Sequence, residues 1–229
     1  MLTHPASPNH NGTLTEATLF EAVQILSGRD ADLEAVYRRF GPPPLWAREP
    51  GFPTLVYIIL EQQVSLASAR AAFQRLSAAI SPVTPQAFLT LSDAELKAIG
   101  FSRQKTGYAR LLAQAILAGE IDLAGLGGLE DDPVRAALTK LKGIGRWSAD
   151  IYLMEALLRP DVWPAGDLAL AIAVQRVKRL GAMPNPAALD AIGEAYRPWR
   201  AVAARMFWHF YLSSPMRGPA AKAARLEEQ

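Results

Sequence analysis

The run Leu141-Lys142-Gly143-Ile144-Gly145-Arg146-Trp147-Ser148-Ala149-Asp150, with Asp167 downstream, is where this chain could do chemistry. Gly143 and Gly145 allow a turn to expose its backbone N–H groups with no side chain in the way. A helix that follows such a turn aims its positive dipole end at the same point. Ile144, between the glycines, suits an apolar plug between two helices. The pattern reads as a helix-hairpin-helix, a backbone device for gripping a nucleic-acid phosphate. A plain connector with a glycine cap is the alternative. The flanks favour the hairpin. Asp132-Pro133 reads as a cap followed by a first-turn proline. Val134, Ala137, Leu138 and Leu141 recur at helical spacing before it. Ile151, Met154, Ala156 and Leu158 do so after it, up to Arg159-Pro160.

Taken with Asp167-Leu168-Ala169-Leu170, this run resembles the helix-hairpin-helix superfamily of DNA glycosylases. Within it, the chain is most similar to the bacterial alkylpurine (3-methyladenine type II) glycosylases. Three further segments carry the likeness. Leu60-Glu61-Gln62-Gln63-Val64-Ser65 resembles the helix end that approaches DNA. Ile99-Gly100-Phe101-Ser102-Arg103-Gln104-Lys105 resembles the next helix junction. Pro198-Trp199-Arg200 with Trp208 resembles the C-terminal portion. The match covers about residues 50 to 213, in order. It implies an all-α, bilobal fold. A central helical domain, 53–160, would carry the hairpin 141–150. A discontinuous helical domain would comprise 14–52 plus 161–217, with the damaged base held in the cleft between the lobes. Residues 1–13 and 218–229 read as tails. The amino-terminal β domain frequent in the subfamily is not expected in this sequence.

The resemblance also implies roles. By position alone, Asp167 after Pro-x-Gly is a good helix N-cap. In the family its place is that of the catalytic aspartate, whose carboxylate stabilises the positive charge that grows on the sugar as the N-glycosidic bond breaks. Both roles are compatible. Strand-cutting relatives have a lysine where Trp147 stands, so a monofunctional glycosylase that leaves an abasic site is implied. A core tryptophan is the plainer reading of that residue. Trp147 and Trp208 correspond to aromatic walls of the base pocket, whose π-faces attract a cationic alkylated base. Ile151 and Leu168 stand where the subfamily often has tyrosines, which predicts a less enclosed pocket. Gln62 and Gln63 occupy the place of a wedge that fills the gap left by a flipped base; a solvated helix end is equally compatible. Lys142, Arg146, Arg103 and Lys105 are candidates for phosphate contacts, or for an ordinary solvated surface. The hairpin, Gly143-Ile144-Gly145, holds a phosphate, with a monovalent cation at the backbone of Lys142 and Ile144 as a further implication.

Those residues need helices to position them, and the spacing supplies these. One carries Leu19, Ala22, Val23 and Leu26; the next carries Leu33, Val36, Tyr37 and Phe40 and ends at Gly41-Pro42-Pro43-Pro44. Pro53 opens an apolar helix through Ser65, and 70–80 repeats the pattern. Ser92 with Glu95 is a capping box, and Ser102 caps a helix with Tyr108, Leu111, Leu112, Ala115 and Ile116 on one face. Residues 125–128 read as a loop. Asp167 starts a helix with Leu170, Val174 and Val177 inward and Arg176, Lys178 and Arg179 outward. Helices near 186–196 and 199–212 follow. Leu96-Lys97-Ala98-Ile99-Gly100 echoes the hairpin but lacks its first glycine, which reads as coincidence. No alternating strand pattern occurs, so the chain reads as all-α.

At 229 residues, 50% apolar and 20% charged, the chain can bury a real core. A net charge of +2 provides no strong polybasic field, so DNA affinity must come from local donors and helix ends. With no cysteine, a disulfide or a thiolate-held iron–sulfur cluster is excluded. Of the three histidines, His4, His10 and His209, two lie in the polar amino-terminal stretch, which argues against a histidine metal site. No required cofactor is expected. Apolar runs such as 55–60 are too short for a bilayer, and no signal peptide is visible. The expectation is a cytoplasmic, nucleoid-associated bacterial monomer whose partner is double-stranded DNA with damaged bases. Two other readings stay open: a glycosylase for another lesion, and a non-catalytic hairpin module that only holds DNA.

Overall fold

The structure, a computed structural model, describes residues 12–214. Among these the fold is all-α, with twelve α-helices, two short 3-10 turns and no strand. The expected tails, 1–13 and 218–229, lie almost wholly outside the described residues. The chain divides into two compact units, 12–15 with 46–164 and 16–45 with 165–214.

The first unit is built around α3 (Phe52–Glu61), whose sequence FPTLVYIILE is apolar around nearly its whole circumference. Such a helix must be covered on all sides. It is: α4 (Leu66–Ala79), α7 (Arg103–Leu117) and α9 (Arg146–Glu155) pack on it, and Leu55, Val56, Ile58 and Ile59 are fully buried. The short α5 (Pro85–Thr90), α6 (Asp93–Ile99) and α8 (Asp131–Thr139) complete the unit.

Residues 46–52, expected with the discontinuous domain, belong here instead. Arg48 fastens them. Its guanidinium donates to both oxygens of Glu61 at 3.0 and 2.7 Å and pairs with Glu155 at 2.7 Å, while its backbone N–H donates to the Glu155 carbonyl. Burial opposes the Arg48 charge, but the two carboxylates outweigh it and push its pKa up. Residues 161–164 also fall in this unit, with Val162 and Trp163 buried.

Local signals placed several helix ends correctly. Ser92 and Glu95 form a reciprocal capping box on α6, and the Ser102 hydroxyl caps α7 by accepting from the Lys105 N–H. Other boundaries moved. Helix α3 stops at Glu61, and Ser65 caps the separate helix α4. Helix α8 begins at Asp131, so Asp132 lies inside it and pairs with Arg135. Helix α9 ends at Glu155, short of Arg159. Residues 125–128 form a 3-10 turn, and Leu111 faces solvent.

The second unit comprises α1 (Glu16–Arg29), α2 (Ala31–Phe40), α10 (Leu168–Val177), α11 (Pro186–Gly193) and α12 (Arg200–Ser213). Helix α12 packs on α1, α2 and α10. Lys178, expected outward, turns onto α2, whereas Arg179 stays exposed as expected. Asp30 caps α2 through the N–H groups of Asp32 and Leu33. Its carboxylate also accepts from Lys178 Nζ and, at 2.9 Å, from the Tyr196 hydroxyl, while Arg179 pairs with Asp32 at 3.0 Å.

Burial alone would raise the Asp30 pKa, but the hydrogen bonds from Lys178 and Tyr196 hold it below the usual carboxylate value. An acid whose folded pKa lies below its unfolded one adds stability above the unfolded pKa. That stability is lost as pH falls through the folded value. The melting temperature of Asp30→Asn, which keeps the cap, is therefore expected to fall less than the wild type's between about pH 5 and pH 3. Parallel declines in a thermal-melt series would show that the pair carries no acid-sensitive stability.

Candidate active site

The hairpin lies between α8 and α9. Gly143 has φ +94°, and a Cβ built on it would lie 2.1 Å from Cγ of Tyr108 on α7. Only glycine fits, both for its backbone and for its neighbour. The Tyr108 hydroxyl accepts from Gln104 Nε2 at 2.7 Å, which steadies the ring. Ile144 is buried, as an apolar plug should be, and its N–H donates to the Leu141 carbonyl at 3.0 Å.

Gly145 differs. It is extended (φ −89°, ψ −179°) and is the N-cap of α9, with open space where a Cβ would go. No side chain caps α9. Gly145 and Arg146, at the very start of the helix, are exposed, and its dipole end carries no side-chain cap, the arrangement an anion needs. Exposed Lys142 and Arg146 flank it. Buried Asp150 braces the turn from behind, bonded to Arg135 at 2.8 Å and 3.6 Å from Arg146. Burial raises its pKa despite these two arginines.

The turn after α3 stands beside the hairpin. Gln62 Nε2 donates to the Gly143 carbonyl at 2.9 Å and to Ser148 Oγ at 3.0 Å. Gln63 is exposed with φ +58°, a left-handed conformation unusual for a side-chain-bearing residue. Val64 and Leu66 are 45% and 58% exposed beside it.

Lys105 was a candidate for phosphate contact. Its ammonium instead donates to the Leu60 carbonyl at the end of α3, 2.7 Å away, and burial lowers its pKa. Arg103, at the first position of α7, is exposed. Trp147, in the first turn of α9, is half-buried, and Ile151 is buried one turn further on.

In the second unit, Asp167 is the N-cap of α10. Its Oδ1 accepts from the Leu170 N–H at 2.7 Å and from Trp208 Nε1 of α12 at 3.0 Å. The carboxylate that caps α10 is thus also held by a second donor. Trp208 is 9% exposed and directs its indole N–H at that carboxylate. Leu168, expected as a pocket wall, is 63% exposed. Sequence reasoning missed Tyr108 as the neighbour of Gly143 and Ser148 as the partner of Gln62; neither has a local signal, because the two sides of each contact lie far apart in the chain. Among the described residues no His, Asp and Glu side chains gather as a metal site, and no helix is long and apolar enough to cross a membrane.

Residues 56–198 match the family model described as HhH-GPD superfamily base excision DNA repair protein. The chain is 27% identical, over 80% of its length and 83% of the relative's, to DNA-3-methyladenine glycosylase 1 of Schizosaccharomyces pombe. Among solved structures, it resembles a 3-methyladenine DNA glycosylase of the same yeast in complex with abasic DNA. The TM-score is 0.81 and the identity 26%, covering 86% of this chain and all of that one. It also resembles a DNA-3-methyladenine glycosidase of Bacillus halodurans, with TM-score 0.68 and 28% identity, covering 84% of this chain and 89% of that one. The chain belongs to the HhH-GPD superfamily of base excision DNA repair proteins, and is a DNA glycosylase of that class.

Proposed function

We propose that this glycosylase releases alkylated, positively charged bases such as 3-methyladenine from duplex DNA and leaves an abasic site. The observation that carries the proposal is the anchoring of Asp167, whose Oδ1 is held by the Leu170 N–H and the Trp208 indole. A carboxylate fixed by two donors needs little reorganisation when positive charge develops on the sugar, and it can orient the attacking water. A non-catalytic module would have no use for a second anchor on a helix cap. A base alkylated at a ring nitrogen leaves as a neutral species, so modest assistance suffices. The indole faces of Trp147 and Trp208 would attract it while it is still cationic.

In this reading the uncapped start of α9 receives a DNA phosphate, with Lys142, Arg146 and Arg103 in support. Gln63 is the wedge that fills the space of the flipped base, and Ile151 and Leu168 leave the pocket less enclosed than tyrosines would. A monovalent cation is part of the proposal. The backbone carbonyls of Lys142 and Ile144 would hold it. It would add positive field beside the phosphate. The protein acts as a monomer and requires no other cofactor.

Trp147 has no amine, so no Schiff base forms there and the strand stays intact. Duplexes carrying single lesions test the reading through the bases they release. Free 3-methyladenine and 7-methylguanine are expected, with no borohydride-trapped protein–DNA adduct. Release of 8-oxoguanine without 3-methyladenine would replace this substrate class, and a trapped adduct would refute the monofunctional reaction.

A further inference from the structure

The geometry points to Gln62 as a positioning residue that ties the wedge turn to the hairpin, rather than a residue that touches DNA. It rests on the reading of Gln63 as the wedge. Gln62 is held at two levels. Its backbone N–H closes α3 on the Ile59 carbonyl, and both of its side-chain donor bonds go to the hairpin, to the Gly143 carbonyl and to Ser148 Oγ. Ser148 is 1% exposed and sits in the first turn of α9. The residue next along the chain, Gln63, is exposed and left-handed.

Helices α3 and α9 pack on each other, which places the end of one near the start of the other. Past the end of α3, Val64 and Leu66 face solvent and do not anchor the turn. The Gln62 amide is therefore the side-chain link that holds Gln63 in place relative to the start of α9. A phosphate gripped at α9 then fixes where Gln63 enters the duplex. One bound site presets the other through a rigid two-bond strut. The carbonyl of Gly143 requires a donor, so glutamate, equal in size, cannot replace the amide.

The test measures affinity for a duplex with a tetrahydrofuran abasic analogue and for the same duplex undamaged. Their ratio reports wedge insertion. Gln63→Ala is expected to lower this ratio. Gln62→Glu is expected to lower it by about tenfold, the value of one to two net hydrogen bonds. Ser148→Ala, which removes one bond, shifts it less in the same direction. The double variant Gln62→Glu/Gln63→Ala should be no worse than the more impaired single one, since Gln62 acts through Gln63. A purely structural role would instead weaken both duplexes alike. Additive losses, or an unchanged ratio in folded Gln62→Glu, overturn the strut and leave the wedge standing. An unchanged ratio in Gln63→Ala overturns the wedge reading, and the strut with it.

Discussion

Asp167→Asn is expected to lower single-turnover base release by at least about a hundredfold while affinity for lesion DNA persists, because the transition-state charge loses its counter-charge. The substitution separates the cap from the catalytic role proposed for the same carboxylate. Asparagine is as good an N-cap as aspartate. Its amide oxygen can still accept from the Leu170 N–H and the Trp208 indole, so the head of α10 is preserved. What disappears is the negative charge alone. Asp167→Ala, by contrast, strips the cap as well and should lose about 1 kcal/mol of stability in addition to activity. The two variants are compared by thermal melting and by single-turnover excision under saturating enzyme. If Asp167→Asn keeps near-normal excision, Asp167 is a cap and nothing more, and the catalytic assignment is wrong.

What was legible in the sequence had its physics within a few residues. The Ser92–Glu95 box, the Ser102 cap and the Asp167 cap each join a side chain to a backbone N–H three positions on, and each was readable. The Gly143-Ile144-Gly145 turn was readable for the same reason. The distant partners that hold the site residues were not. Gln62 meets Gly143 across 81 residues, and Trp208 meets Asp167 across 41. Nothing in a local window says that Gln62 turns inward while Gln63 stays exposed. Lys105 illustrates the same limit. A lysine near a helix start looks like a phosphate ligand until the Leu60 carbonyl is found beneath it. The apparent echo of Leu96–Gly100 in Leu141–Gly145 also dissolves, because α6 runs through Ile99 whereas α8 has already ended at Thr139. The backbone likeness lies elsewhere. Gly100 and Gly143 are both at positive φ, each is followed by a buried apolar residue, and each leads to an extended N-cap. Ser102 brings its own acceptor to that cap and Gly145 does not, so only the second turn leaves its helix start without a side-chain cap.

That difference yields the second large effect, because the two hairpin glycines should fail in opposite ways. Gly143→Ala forces a side chain into positive φ and drives Cβ to within 2.1 Å of the Tyr108 ring. Backbone strain and overpacking each cost about 1–3 kcal/mol, so the melting temperature should fall by on the order of 10 °C. Gly145→Ala meets nothing within 4 Å and keeps an ordinary extended φ, so its melting temperature should barely change. Yet its methyl group would stand where the proposed phosphate approaches the start of α9. Affinity should drop by roughly tenfold, a loss of about 1.4 kcal/mol. Because phosphate contacts carry no sequence information, the drop should be the same on damaged and undamaged duplexes. Fluorescence anisotropy on both duplexes, with melts on both variants, separates the cases. Wild-type affinity in a folded Gly145→Ala protein would exclude the grip at α9. A wild-type melting temperature in Gly143→Ala would mean that Tyr108 yields, and that the hairpin is held by Gln62 and Ile144 rather than by the close approach of ring and backbone.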